Sequence, residues 1–201
     1  MIVIGYSGHA FVACGILKAA GLPITGYCDK EEKTYNPFGL QYYGSELSDE
    51  ALAAMKEHGG FIAIGINSLR NGIYDELSLV NIRFFNAIHP SAVVDDSAII
   101  APGAVMIAAN VTINPLAKIG TGVICNTACI IEHECVVGDF AHIGPGAVLC
   151  GNVKVGRQSF IGANAVIRQG ITIGDNATIG AGSVVVKNVP DNVTVVGVPA
   201  K

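Results

Sequence analysis

The chain has 201 residues, a formal net charge of −4 and 51% hydrophobic residues, with Lys and Arg scattered rather than clustered. That length suits one or two domains, and the charge pattern argues against nucleic acid as a partner. Mean hydropathy is high at +0.50, yet no run of about eighteen apolar residues occurs, so no membrane insertion is expected.

The opening Met1-Ile2-Val3-Ile4-Gly5 has no basic segment and reaches a glycine too early for a signal peptide, so a cytoplasmic protein is expected. Residues 1–88 then alternate strand and helix signals. Ile2 to Ile4 is a short apolar strand ending in Gly5-Tyr6-Ser7-Gly8-His9, followed by a helix to Ala20 that stops at Gly21. Ile24 to Cys28 reads as a second strand ending in Asp29, and Leu40 to Tyr43 as a short extended piece. Ser48-Asp49-Glu50 caps a helix to about His58, because a Ser side chain accepts from an otherwise free backbone N–H. Phe61 to Ile66, Ser68 to Leu79 and Arg83 to Ile88 complete a strand–helix–strand series. The expectation is a small Rossmann-like βαβ domain with a parallel sheet, whose ligand crevice lies at the carboxyl ends of the strands.

Several residues there carry candidate chemistry. The Gly5-Tyr6-Ser7-Gly8 turn is a partial phosphate-turn pattern, with Ser7 where the second glycine of GxGxxG would stand. Asp29 follows about twenty residues on, where an acid reaches a ribose or base, or simply closes a solvated turn. Gly65-Ile66-Asn67 adds a third convergent loop, and Arg70, just inside the next helix, is either a phosphate partner or an ordinary surface charge, of which the surface charge is the expectation.

His89-Pro90-Ser91 marks a junction, since Pro90 cannot continue the strand, and residues 89–201 form the second expected domain. Val94, Ile100 and Met106 begin a six-residue pattern, and one extra residue is expected near Val111-Thr112. From Ile113 every sixth residue to Val185 is apolar, and four residues after each comes a mostly small or β-branched partner, from Ala117 to Val189. Neither a helix near 3.6 nor a plain strand at 2 gives a sustained period of six; a hexapeptide-repeat parallel β-helix does. Three hexads make one coil, so residues eighteen apart stack about 4.8 Å apart. Cys125, Cys129 and Cys135 fall on inward positions and read as core, not as disulfide or metal ligands.

Most outward turn positions hold Asn, Asp, Gly, Lys or Thr. The exception is Glu132-His133-Glu134, with His142 nine residues further on. A histidine beside carboxylates at a prism corner is placed to act as an oriented general base. Nine residues is half a coil, so His133 and His142 face different sides and cannot share a metal within one chain; no metal is expected.

The run Ile131-Glu132-His133-Glu134 through His142-Ile143, the opening Gly5-Tyr6-Ser7-Gly8-His9 and the ending Val196-Gly197-Val198-Pro199-Ala200-Lys201 resemble the bacterial hexapeptide-repeat sugar acetyltransferases of the nucleotide-sugar and sialic-acid type. The resemblance spans essentially the whole chain and implies a left-handed coil. It implies acetyl-CoA as co-substrate and N-acetylation of a UDP-linked 4-amino-4,6-dideoxy sugar, with a GDP-linked amino sugar or O-acetylation of sialic acid as alternatives. By the same resemblance His133 is the base and Glu134 polarises it. His142 meets the acetyl end of acetyl-CoA, and a backbone N–H at Gly151 meets the thioester oxygen. Gly8, His9, Asp29 and Asn67 match nucleotide-sugar positions, although Tyr6-Ser7 stands where the family has smaller residues. A homotrimer with its active site between chains is the further expectation.

Overall fold

The computed structural model describes residues 1–201. Its first part is a four-stranded parallel sheet built from β1 (Ile2–Ile4), β2 (Gly26–Cys28), β3 (Gln41–Tyr42) and β4 (Gly60–Ile62), in the order β3-β2-β1-β4. The connecting helices are α1 (Gly8–Ala19), α2 (Asp49–His58) and α3 (Asn67–Leu79). Ser48 caps α2 as expected, its side chain accepting from Ala51 N–H. One face of the sheet packs Ile2, Ile4 and Ile62 against Met55 of α2 and Leu77 of α3. The other face, with α1, runs continuously into the core of the coil.

The last expected strand, Arg83 to Ile88, is divided. Phe84 makes a single bridge to Gly60, whereas β5 (Ala87–Ile88) leaves the first sheet and pairs with Met106–Ile107. From there the chain winds as a parallel β-helix with three sheets of five, seven and six strands. Ile124 pairs with His142 and Cys125 with Ile143, the eighteen-residue coil that the period requires. Inward residues such as Ile131, Ile143, Leu149 and Ile161 are fully buried, each contributing about 1.5–3 kcal/mol by burial. Ser159 also points inward, and its hydroxyl is satisfied by donating to Gly174 O and accepting from Ala177 N–H.

Two register details differ from the sequence expectation. Strand pairs that span the Pro102-Gly103 corner are nineteen residues apart (Ile99 with Lys118, Val93 with Thr112), so the extra residue lies there and not near Val111-Thr112. Ile107, not Met106, therefore takes the inward phase of Ile113. At the far end Val189 bridges to Ile173 and Thr194 pairs with Thr178, each sixteen residues apart, so the last coil is two residues short and Val189 does not occupy the small-residue position.

One corner residue in each hexad adopts a left-handed backbone: Leu116, Ala128, Glu134, Phe140, Asn152, Gln158, Asn164 and Asn176 all have φ between 52° and 64°. This conformation favours Gly and Asn, which accounts for the many Asn residues at these corners.

Candidate active site

Strand Ile130–Ile131 ends at the Glu132-His133-Glu134 corner. Glu134 has φ 60°, which turns its side chain back so that Oε2 lies 3.2 Å from His133 Nδ1. Both side chains are 58% exposed. Gly151 sits one coil above, held by the Asn152 N–H to His133 O hydrogen bond of 2.9 Å. A Cβ at Gly151 would lie 2.5 Å from both His133 Cε1 and Nε2, so the imidazole rests on the bare glycine backbone. The Gly151 N–H donates no hydrogen bond within the chain. The corner thus joins a histidine whose Nδ1 is held by a carboxylate, a free Nε2, and a neighbouring glycine whose backbone N–H is unused within the chain.

His142 lies on the seven-stranded sheet between Ile124 and Phe160, on the side of the coil away from His133, as the half-coil spacing requires. It is 8% exposed, because the first domain covers this face. Its Nε2 is 3.1 Å from Asn126 Nδ2, and its ring centroid is 6.0 Å from that of His9. Burial, then the Arg70 charge, lower both histidines from 6.5 to about 4; His9 adds to the shift of His142, and the Gly65 carbonyl opposes it. Both rings are therefore neutral near pH 7, and His9 Nε2 and His142 Nδ1 are buried without a hydrogen-bond partner in the chain.

Arg70 is a correction to the sequence reading. It is fully buried, not a surface charge. Its guanidinium donates to Gly122 O and Phe140 O of the coil at 2.7 Å, to Ile64 O and Gly65 O of the β4–α3 loop, and to Asn67 Oδ1. Burial lowers its pKa to about 9; with no carboxylate among its partners, the carbonyls hold the planar cation. Asn67 serves the same junction, its Nδ2 donating to Gln158 O at 2.8 Å and Ser159 O at 3.2 Å. Its side chain is thus occupied in joining the domains. A lone Arg and Asn on a helix give no sequence signal for such carbonyl partners far along the chain.

The strand-end crevice exists as expected. A cavity of about 320 Å³ is lined by Gly5, Tyr6, Ser7, Asp29 and Gly65 among others. Gly5 needs its φ of 82° and the absence of a Cβ, which would fall 2.7 Å from Ile64 Cγ1. Tyr6 does not obstruct the turn: its side chain is buried, stacks on Tyr27 at 4.1 Å and donates to Asn36 Oδ1. Ser7 precedes α1 without capping it, and the first turn, with Gly8 and His9, has no acidic residue, leaving its N–H groups for an anion. Asp29 Oδ2 accepts from Tyr6 N–H at 2.8 Å, and Oδ1 pairs with Lys33 at 3.0 Å. No group of His, Cys, Asp and Glu in the structure has the arrangement of a metal site. No helix is long and apolar enough to cross a membrane.

Known proteins match this architecture part by part. The PglD N-terminal domain family matches residues 1–77, the bacterial transferase hexapeptide family residues 134–169, and the hexapeptide repeat of succinyl-transferase residues 152–187. PerB from Caulobacter crescentus, solved in complex with CoA and GDP-perosamine, is 37% identical and superposes with a TM-score of 0.92 over 100% of this chain and 95% of its own. The acetyltransferase domain of PglB from Neisseria gonorrhoeae, solved with acetyl coenzyme A, is 34% identical with a TM-score of 0.92 over 100% and 97%. GDP-perosamine N-acetyltransferase of Escherichia coli O157:H7 is 35% identical over 94 residues, which are 47% of this chain and only 42% of that protein. Likeness over the full length of the first two, in both the sheet domain and the coil, means that the chain belongs to the PglD family of hexapeptide-repeat sugar N-acetyltransferases.

Proposed function

We propose that the chain transfers the acetyl group of acetyl-CoA to the amine of a GDP-linked amino sugar, with His133 as general base. The observation that carries this reading is the corner itself: His133 Nε2 is free and packs against Gly151, whose N–H has no acceptor within the chain, while Nδ1 is held by Glu134. The neutral sugar amine adds to the thioester carbonyl as Nε2 takes its proton, and Glu134 stabilises the imidazolium. The oxygen of the tetrahedral intermediate gains the Gly151 N–H; one such donor is typically worth about 2.7–4 kcal/mol. Collapse expels the CoA thiolate, which the imidazolium reprotonates, so no covalent enzyme intermediate is needed.

The diphosphate suits the N-terminus of α1 at Gly8 and His9, above the Gly5 turn, with the nucleoside in the adjoining cavity. The sequence resemblance pointed to UDP. Two relatives are named for GDP-perosamine, and that favours guanosine diphosphate.

A trimer is part of the same reading. The six-stranded sheet of the coil turns Ile130, Val148, Val166 and Val184 outward, an apolar row that fits a second copy of the chain. Cyclic packing on it would bring the His133 corner of one chain towards the domain junction of the next, where His142 sits and where the acetyl end of acetyl-CoA would lie. The test is product mass after incubation with acetyl-CoA and a GDP-linked 4-amino sugar. His133→Ala should lower kcat about 100-fold or more while acetyl-CoA still binds, and Glu134→Gln should cost less. Wild-type turnover by His133→Ala would overturn the role.

A further inference from the structure

The nucleotide cavity has one carboxylate that the fold does not use. Glu46 lies on the crossover from β3 to α2, is half-buried, and lines the cavity. It forms no ion pair, unlike Asp29, whose two oxygens are taken by Tyr6 N–H and Lys33. Burial and then the Glu46 charge push the Cys28 thiol up to about 12, so the carboxylate lies beside the end of β2. Two large apolar side chains of the same cavity, Ile66 and Leu69, are 64% and 41% exposed. They provide apolar contact for the face of a flat ring. Lys30 adds a cation to the lining.

An unpaired carboxylate beside apolar walls discriminates strongly among bases. Guanine presents two adjacent donors, N1–H and the 2-amino group, to the two oxygens of one carboxylate, with O6 next to them for a cation. Uracil offers a single N3–H flanked by two carbonyl oxygens, which a carboxylate repels. Adenine and cytosine each set a ring-nitrogen acceptor beside their amine. We propose that Glu46 selects the base, its carboxylate accepting the N1–H and 2-amino group of guanine while Ile66 and Leu69 cover the ring. This rests on the reading that the cavity holds the nucleotide, and it adds the residue that makes the site guanine-specific. The phosphate turn at Gly5 to Ser7 lines the same cavity, so one crevice can take both the base and the diphosphate.

Binding of GDP, IDP and UDP to the full chain, by titration calorimetry, tests the assignment. IDP keeps N1–H and O6 but lacks the 2-amino group. Wild-type protein should bind GDP about tenfold or more tighter than IDP, the scale of a charge-assisted hydrogen bond, and tighter still than UDP. Glu46→Gln, which keeps size and removes the charge, should bring GDP and IDP to within about threefold and leave acetyl-CoA affinity unchanged. Equal affinity of the wild type for GDP and IDP, or an undiminished preference in Glu46→Gln, would overturn the assignment. A wild type that binds UDP and not GDP would overturn it too, while acetyl transfer to a nucleotide sugar still stood. Failure to bind any of the three with acetyl-CoA binding intact would reject the cavity as the nucleotide site, and Glu46 with it.

Discussion

Gly151→Ala separates catalytic geometry from fold stability. Gly151 has no left-handed φ, so alanine is acceptable to its backbone. Its new Cβ would stand 2.5 Å from His133 Cε1 and Nε2, where ordinary contact begins near 3.4 Å, so the ring must retreat by 3.4 − 2.5 = 0.9 Å. The imidazole is 58% exposed and can swing; stability should change by no more than about 0.5 kcal/mol. A misplacement of about 1 Å in a reacting group costs on the order of 100-fold, or about 2.7 kcal/mol in the barrier. Steady-state kcat and thermal melting on the same preparation measure both effects. Gly138→Ala is the comparator: there a Cβ would meet Arg157 N at 2.8 Å and Gly156 C at 3.0 Å, backbone that cannot swing aside. That variant should lose about 1–3 kcal/mol, a fall in Tm of roughly 2–4 °C per kcal/mol. If Gly151→Ala kept wild-type kcat, or melted as early as Gly138→Ala, the arrangement of His133 over the glycine would not be what sets the rate.

Arg70→Met should lower stability by roughly 3 kcal/mol or more, because it strands the buried carbonyls that the guanidinium serves, and thermal unfolding reads the loss. Stability should also depend on pH through His9 and His142, whose pKa values fall from 6.5 to about 4 on folding. The unfolded chain binds protons that the folded chain refuses, so stability is complete above pH 6.5 and declines as pH falls to 4. A Tm series across that window should slope downward towards acid, and more gently in His142→Gln. Refolding His133→Ala together with His142→Ala should restore part of the activity if the site lies between chains. No recovery in mixed assemblies confirmed by mass would refute shared sites.

The coil was legible because burial enforces its period: a side chain at Ile131 or Ile161 that pointed outward would empty the prism. The position of the extra residue was not legible, since Met106 and Ile107 are both apolar and the pattern alone cannot say which turns inward. Both end up buried, one by the prism and one by the first domain. The same covering explains why His142, outward by the hexad rule, is nearly inaccessible. The burial of Arg70 and the junction bonds of Asn67 were missed for a related reason. Their partners in the coil are backbone carbonyls 52 to 92 residues away, groups every residue carries and no sequence pattern marks. The Glu132-His133-Glu134 corner stood out because it broke a pattern that the neighbouring corners keep.

At the left-handed corner of Glu134, backbone stability and the proposed role of the side chain favour different residues. Gly would remove the β-carbon that strains this backbone by about 1 kcal/mol, and Asn tolerates the conformation through local hydrogen bonding of its short polar side chain, as at 152, 164 and 176. Under the proposed mechanism the same change removes the acid that orients His133. A directed-evolution campaign screening for heat resistance alone should therefore drift to Asn or Gly at this position, and its hardiest survivors should be poor catalysts.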